Sequence, residues 1–141
     1  MIAVISRVTR ASVSVSGDVV GEITTPGLLV LLGVARDDGA QQVAIMARKI
    51  AELRILRDEK CASEVGAPIL LVSQFTLLGN TKKGRRPSWV AAAAPAEAQQ
   101  RYNEVSEALR AQGLKVEHGL FGADMAVESV NDGPFTVLVH T

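Results

Sequence analysis

The chain has 141 residues, 48% of them hydrophobic, and its 15 basic and 15 acidic side chains cancel in charge. This length predicts a single domain over residues 1–141 that is large enough to bury its own core. A zero net charge excludes a protein that binds nucleic acid over its whole surface, so contact with a polyanion would have to come from a local basic patch.

The first third of the chain predicts a group of strands. Residues 1–9 are rich in Ile and Val, and residues 12–16 alternate serine with valine, which is the period of a half-buried strand. The Ser-Gly-Asp sequence at 16–18 predicts a turn into a hairpin partner over residues 19–23. The continuous apolar run 27–34 indicates a strand that is buried on both faces.

A first helix is predicted to begin at Asp37-Asp38-Gly39, where either aspartate could cap free N–H groups. Its buried face would carry apolar residues three or four positions apart, namely Val43, Met46, Ile50 and Leu53. Residues 54–57 then predict a short strand, and residues 58–67 predict a polar connector.

The second half continues the alternation of strand and helix. A strand-length apolar run at 68–77 ends in polar residues, and a loop follows it. A second helix is predicted within residues 91–113, with Pro95 in its first turn and Gly113 as its C-terminal cap. Further strands are predicted at 115–118, 123–130 and 135–140. This order of elements favours an α+β fold.

The residue sets that are typical of metal or cofactor sites are missing. His118 and His140 are the only histidines, and no cluster with metal-ligand spacing lies beside them in sequence. The sequence also lacks a P-loop, a dinucleotide fingerprint and the elbow motif of serine hydrolases. We therefore expect no metal and no cofactor, and a catalyst of this kind would depend on backbone donors and positioning.

Compartment signals are few. The first residues lack the pattern of a secretory signal, and the longest apolar run, 28–32, is too short to cross a bilayer. The single cysteine, Cys61, excludes an intrachain disulfide and fits a reducing compartment. We expect a soluble, cytoplasmic protein.

A polar end to a buried strand is the first stretch that could carry chemistry. Ser73, Gln74 and Thr76 supply hydrogen-bonding side chains around Phe75. They could simply cap the strand, or they could surround a reacting ester whose oxyanion is stabilised by oriented N–H groups.

The loop that follows is basic. Lys82, Lys83, Arg85 and Arg86 surround Gly84. These cations could be solvated surface charge, or they could contact the phosphates of a nucleic acid.

The third stretch, Asn131-Asp132-Gly133-Pro134, places strong turn residues inside a hydrophobic pattern. Its simplest interpretation is a hairpin turn. Gly133 would also let another group approach the backbone closely, and an X-Pro bond is the common place for a cis peptide.

Together these stretches resemble the D-aminoacyl-tRNA deacylase family, formerly called D-Tyr-tRNA deacylase. Ser73 to Leu77 and Asn131 to Thr136 resemble its two signature motifs. Four more segments fall in family order, at 7–13, 27–34, 85–88 and 121–125, so the resemblance covers nearly the whole chain.

The resemblance implies a mixed, barrel-like β-sheet with two helices packed on the outside, in a homodimer. It implies a hydrolase of carboxylic esters that releases D-amino acids from the 3′-terminal adenosine of tRNA, a proofreading step in translation. Removal of glycine from mischarged tRNA(Ala) is implied as well. Neither a metal nor an organic cofactor is expected, and neither DNA nor a membrane is expected as a partner.

The family's chiral filter would lie at the third stretch. Gly133-Pro134 would be the Gly-cisPro motif, which enters the partner subunit's pocket and holds the amino group of the substrate through its carbonyls. Such a motif excludes an L side chain by steric clash. Arg7 would hold the motif in place, and Met125 would line the pocket wall.

The reaction end of the site would lie at the first stretch. Ser73, Gln74, Phe75 and Thr76 would line the adenosine and the ester, with the backbone N–H groups of Phe75 and Thr76 as the oxyanion hole. The family is thought to use the RNA's own 2′-hydroxyl and water. Thr76 as a nucleophile is the alternative, and it is weakened because no general base is visible beside it. From their charge, we expect Lys82, Lys83, Arg85 and Arg86 to contact the acceptor-stem phosphates.

Two places depart from the family pattern. The connector from Asp58 to Pro68 is shorter than usual and lacks the Gly-Lys-Met-Asn-like turn of many members, so we expect a trimmed loop. Phe135 follows Gly-Pro where Val is common, so the substrate fit there stays open. A related branch that accepts L-alanine carries Thr before the proline, and Gly133 argues against that branch.

Two other functions stay open on the residues alone. One is a non-enzymatic RNA-binding β dimer that uses the basic loop, and the other is a small-molecule hydrolase unrelated to RNA. A binding module requires neither the polar strand end nor Gly133-Pro134.

Overall fold

The computed structural model of the chain describes residues 1–82 and 84–141. Its strands are β1 (Ile2–Val15), β2 (Asp18–Ile23), β3 (Gly27–Gly33), β4 (Ile69–Ser73), β5 (Val116–His118) and β6 (Ala126–His140). Its α-helices are α1 (Ala40–Glu52), α2 (Ala62–Val65) and α3 (Pro95–Ala111), and 3₁₀ helices span Arg57–Glu59 and Phe75–Leu78.

The six strands form one mixed sheet. The long β1 pairs antiparallel with β2, β3 and β6, whereas β3, β4 and β5 run parallel. The sheet curls until β2 approaches β5, where a Cβ atom built on Gly21 would lie 2.0 Å from the carbonyl oxygen of His118. Only glycine permits so close an approach. The approach of β2 to β5 nearly closes the barrel. The predicted α+β class and the barrel-like sheet are confirmed.

The sheet buries both faces. One face packs under the long helices and includes Ile5, Leu32 and Leu71, while the other fills the barrel interior with Val13, Leu70 and other aliphatic residues. Alternate residues of β3 and β4 therefore enter opposite cores, which is why these strands are continuously apolar. α1 and α3 are the two helices that the sequence predicts, and α2 adds one short turn.

The connector after α1 differs from its prediction. The prediction of a strand at residues 54–57 was wrong. Arg57–Glu59 forms a 3₁₀ helix, in which Asp58 has φ 57° and Glu59 has φ 54°. The predicted capping of α1 by an aspartate was also wrong. Gly39 is the N-cap, and the Asp38 carboxylate instead accepts from the N–H of Ala35 at 2.6 Å and from the amine of Met1.

The C-terminal segment is one strand rather than two. β6 pairs with β1 on both sides of this segment, from Ser14↔Ala126 to Val8↔Asn131 and from Ser6↔Thr136 to Ile2↔His140, and residues 132–135 bulge out between the two paired stretches. The hairpin interpretation of Asn131-Asp132-Gly133-Pro134 is therefore wrong, since the chain does not reverse there. The Gly133-Pro134 peptide bond is cis.

Among the described residues, no helix is both long and apolar enough to span a bilayer.

Candidate active site

The end of β4 exposes two backbone donors. Gln74 N donates to Leu32 O at 2.8 Å, and Phe75 then starts a 3₁₀ helix whose first turn closes when Leu77 N donates to Gln74 O at 3.2 Å. Phe75 and Thr76 come before Leu77 in this helix, so their N–H groups lie ahead of its first hydrogen bond. The first N–H groups of a helix have no acceptor within the helix, so these two are available to a ligand. The predicted continuation of the strand to Leu77 was wrong, and the turn is what frees them.

An apolar cavity of about 360 Å³ opens beside these donors. Its walls come from β3, the β4 end, the start of α3 and the segment before β6. Its lining residues are Leu32, Val34, Ser73, Gln74, Phe75, Trp89, Ala92, Ala93, Pro95, Ala98, Tyr102, Phe121 and Gly122. None of them is charged, so the cavity suits a flat, weakly polar group such as a nucleobase.

Two exposed aromatic rings line the cavity. Phe75 and Trp89 meet edge to face, with ring centroids 6.1 Å apart. Partly exposed aromatic rings of this kind provide stacking surfaces for bases. Sequence reasoning missed Trp89, although the only tryptophan, placed directly after a basic stretch, was an available signal.

A hydrogen-bonded network supports the cavity wall from behind. The Tyr102 hydroxyl donates to Leu71 O at 2.6 Å. Because its one proton is used there, the Tyr102 hydroxyl oxygen accepts from His118 Nδ1 at 2.9 Å. His118 Nε2 then accepts from the Ser106 hydroxyl at 3.0 Å. Burial lowers the pKa of His118, and the positive charge of Arg110 lowers it further. Burial likewise raises the pKa of Tyr102. Both shifts favour the uncharged forms of His118 and Tyr102.

Arg7 organises the Gly133-Pro134 segment. Its side chain is buried, and it donates to Asp132 O at 2.8 Å, to Gly133 O at 3.0 Å and to Ile55 O at 3.3 Å. Its guanidinium carbon lies 4.7 Å from the centroid of the Phe135 ring, which is a cation–π contact. The predicted proximity of Arg7 to Gly133 is thus present in the fold, and Phe135 packs on Arg7.

A second arginine meets the same segment from outside. The Arg57 fork donates to both carboxylate oxygens of Asp132. This hydrogen bond from Arg57, with the charges of Arg57 and Arg7, holds the pKa of the Asp132 carboxyl below its ordinary value, although burial opposes the shift.

The basic loop lies on the Trp89 side of the molecule. Asn80 and Ser88 close the loop through paired backbone hydrogen bonds of 2.8 and 3.1 Å. Lys82, Arg85 and Arg86 are exposed, and none of them pairs with an acidic group of the part of the chain that the structure describes. Lys83, the fourth predicted cation, lies outside the described residues.

Met125 occupies a different place from the other predicted residues. It packs against the barrel-interior cluster. Its sulfur lies so close to Gly119 that a Cβ atom there would be 2.6 Å away. The described contacts of Met125 lie in the core beside Val72. Its predicted role in lining the pocket wall stays a prediction.

Within one chain, the two motifs do not meet. Ser73 aligns through Leu32 with Ala3 of β1, whereas Gly133 is held at Arg7, four residues further along the same strand. That offset is about 13 Å along the strands, and the three strand spacings from β4 to β6 add about 14 Å across them. The fold thus keeps Gly133 and Ser73 far apart on a single sheet.

Comparisons with known proteins agree over the full length. The family model described as D-Tyr-tRNA(Tyr) deacylase matches residues 4–140. A D-aminoacyl-tRNA deacylase from Kineococcus radiotolerans is 63% identical over 139 residues, covering 99% of each chain. The same-named protein from Thermobifida fusca is 56% identical over 140 residues, again covering 99% of each chain.

Solved structures show the same fold. One titled c-Myc DNA Unwinding Element Binding Protein superposes with a TM-score of 0.92 at 39% identity, covering 100% of this chain and 99% of that one. A probable eukaryotic D-amino acid tRNA deacylase superposes with a TM-score of 0.85 at 17% identity, covering 98% and 97%, which speaks for the fold alone.

Proposed function

Because this chain belongs to the D-aminoacyl-tRNA deacylase family of hydrolases, we propose that it hydrolyses the ester of D-aminoacyl-tRNA as a proofreading step in translation. Water adds to the ester carbonyl carbon, and the bond from that carbon to the ribose oxygen breaks. The ribose oxygen takes a proton, and a free D-amino acid and tRNA leave. The observation that carries the proposal is the pair of available N–H groups at Phe75 and Thr76 beside an uncharged cavity.

The cavity would receive the terminal adenosine. Its volume of about 360 Å³ is of the size of small-molecule sites. Phe75 and Trp89 offer aromatic surface to the base. Ser73 and Gln74 line the same cavity and would hydrogen-bond the ribose end.

The N–H groups of Phe75 and Thr76 would stabilise the oxyanion as the carbonyl becomes tetrahedral. Two oriented donors in a site that excludes water supply several kcal/mol, which suffices for an ester of moderate reactivity. The RNA's own 2′-hydroxyl would assist the attacking water. No metal and no organic cofactor enters this proposal.

Thr76 as a nucleophile is the less favoured alternative. Its hydroxyl receives a hydrogen bond from the Gln74 side-chain amide, and an amide donor cannot remove a proton. Thr76→Val should therefore keep the deacylation rate within about threefold of wild type, whereas loss of a nucleophile costs several orders of magnitude.

Chirality would be set by Gly133-Pro134 of a second copy of the chain. The separation of the two motifs within one protomer supports a site that is shared across a homodimer. The surface of β6 supports it too, because Val127, Val130, Phe135 and Leu138 are all exposed along this strand. A long apolar strand at a sheet edge is normally covered by a partner.

The remaining parts of the proposal rest on the family resemblance and on the charge of the basic loop. A filter that excludes side chains admits glycine, so glycyl-tRNA(Ala) would be a second substrate. Lys82, Lys83, Arg85 and Arg86 would contact the acceptor-stem phosphates, and Met125 would line the pocket wall. Residues 1–141 would act as one domain, in the cytoplasm.

Cleavage of D-Tyr-tRNA and L-Tyr-tRNA under the same conditions tests the function. We expect cleavage of the D-ester only. Equal cleavage of both esters, or of neither, contradicts the proposal. Binding of uncharged tRNA without any cleavage would favour the RNA-binding dimer instead.

Gly133→Ala tests the filter without disturbing the protomer. A Cβ atom built there meets only Asn131 Oδ1 among the described atoms, at 3.9 Å. We therefore expect an unchanged melting temperature and a large loss of D-Tyr-tRNA cleavage, because the methyl group would project from the motif towards its ligand.

Mixed dimers test the sharing of the site. A Phe75→Pro chain, which lacks one oxyanion donor, is combined with a Gly133→Ala chain. If the site is shared, one of the two sites in the mixed dimer keeps both intact motifs, and activity returns to about half of wild type. If each site lies within one chain, the mixed dimer has no intact site and stays inactive.

A further inference from the structure

The connector between α1 and β4 reaches the Gly133-Pro134 segment through the side chain of Arg57. Arg57 donates from Nε to Asp132 Oδ2 at 3.1 Å and from Nη2 to Oδ1, so it binds both oxygens of the residue that precedes Gly133. A bidentate pair fixes the direction of a carboxylate as well as its distance.

Asp132 is the point where two arginines meet. Arg7 Nε lies 3.1 Å from the same Oδ2 atom, and Arg7 holds the backbone carbonyls of Asp132 and Gly133 from the other side. The Arg57 side chain is 72% exposed, but that of Asp132 is only 18% exposed. Exposed ion pairs are generally weak because water competes for both partners. Here the carboxylate is mostly shielded, and the geometry is bidentate.

The backbone of the connector is shaped to present Arg57. Asp58 and Glu59 both have left-handed conformations, at φ 57° and 54°, which non-glycine residues adopt rarely. Hydrogen bonds from Leu56 N to Lys60 O at 3.0 Å and from Lys60 N to Arg57 O at 3.2 Å close this turn. Consecutive residues in such conformations persist only where surrounding contacts hold them.

We propose that Arg57 is a positioning residue for the Gly133-Pro134 segment. It holds Asp132 from outside while Arg7 holds the backbone from inside, so the 53–60 connector helps to set how strictly L-amino acids are excluded. This inference rests on the proposed function, because the segment acts there as the chiral filter.

Arg57→Ala is the first test, and Arg54→Ala is its matched control. Arg54 lies on the same connector but bonds Glu64 and the carbonyl of Glu59. We expect the ratio of D-Tyr-tRNA to L-Tyr-tRNA cleavage to fall roughly fivefold in Arg57→Ala and to stay unchanged in Arg54→Ala. Arg57→Lys should give an intermediate ratio, because lysine keeps the charge but not the fork.

A double-mutant cycle asks whether Arg57 acts through Asp132. In an Asp132→Asn background, adding Arg57→Ala should change the ratio little, since the partner is already altered. An equal fall of the ratio in both backgrounds overturns the proposal, and so does a wild-type ratio in Arg57→Ala.

Amide hydrogen exchange supplies a readout that needs no activity. Peptides covering residues 130–136 should exchange faster in Arg57→Ala than in wild type or Arg54→Ala. Unchanged exchange in Arg57→Ala overturns the positioning role. If wild type cleaves no D-aminoacyl ester, the proposed function fails, while the exchange comparison still decides whether Arg57 holds the segment.

Discussion

The Ser73–Thr76 segment and the Gly133–Pro134 segment are built in opposite ways. The first presents free backbone N–H groups to a cavity whose lining residues are all uncharged. The second presents backbone carbonyls that are fixed by Arg7, with the Asp132 carboxylate and Arg57 beside them. One segment supplies donors, and the other supplies oriented acceptors.

Under the proposed function, this difference separates two tasks. Donors in an uncharged cavity act on charge that develops during the reaction, where the absence of water strengthens them. Acceptors held by buried and bidentate hydrogen bonds have a fixed direction, and a fixed wall is what steric exclusion requires. Changes in the first segment should therefore lower the rate for every substrate, and changes in the second should alter the ratio of D- to L-ester cleavage.

Phe75 offers the largest effect. Phe75→Pro removes the backbone donor at the first position of the 3₁₀ helix, where proline is tolerated, and Phe75→Ala removes only the ring. We expect kcat for D-Tyr-tRNA to be about 100-fold lower in the proline variant than in the alanine variant. Single-turnover deacylation measures both. Equal rates in the two variants would exclude this N–H from the chemistry.

Arg7→Ala should have the next largest effect, and it should alter the exclusion of L-amino acids. Arg7→Ala leaves three carbonyls without their donor, which lowers the free energy of unfolding by about 3 kcal/mol. We expect the ratio of D- to L-ester cleavage to fall roughly 30-fold, since the carbonyl of Gly133 loses its direction. Urea unfolding and paired deacylation assays measure the two effects. Arg7→Lys should recover stability more than the ratio, because lysine lacks the fork.

Filling the cavity should weaken binding alone. Ala92→Leu adds three carbons to the wall, and the exposed neighbour Ala91, which does not line this cavity, gives the control Ala91→Leu. We expect KM for D-Tyr-tRNA to rise about tenfold with kcat and the chiral ratio nearly unchanged, as for loss of uniform binding. A changed ratio would mean that the cavity also senses chirality.

The two segments were predictable to different degrees. Periodicity located the long helices and most strands, because alternating and continuous apolar runs follow directly from burial on one or two faces. The role of the polar strand end stays a prediction, and the 3₁₀ turn that follows it was not predicted, since Phe75 and Leu77 continue an apolar pattern. That turn frees the N–H groups, so the proposed chemistry depends on a local departure from the strand.

The Gly133-Pro134 segment shows what residue patterns cannot supply. Its residues predict a hairpin, yet β1 is long enough to pair with both sides of the segment, and residues 132–135 bulge out between the paired positions Asn131 and Thr136 instead of reversing the chain. The contact between Arg57 and Asp132 joins positions 75 apart in sequence, through a left-handed turn of non-glycine residues that propensity disfavours. Tertiary contacts determine both features.

The smallest expected effect is a difference in pH response between the two segments. His118 supports the cavity wall, and burial lowers its pKa, so the unfolded chain takes up its proton first as the pH falls. Stability should therefore decline as the pH falls below about 6.5, the ordinary value of histidine. The pKa of Asp132 is also lowered, so the folded state keeps this group's contribution above about pH 4 and loses it only at lower pH.

Urea unfolding between pH 8 and pH 5 should show a shallower decline in the free energy of unfolding for His118→Asn than for wild type. His140→Asn, which removes the exposed histidine of β6, should keep the wild-type decline. If His118→Asn shows the wild-type decline in stability as well, protonation of His118 in the Tyr102–His118–Ser106 network does not cause that decline.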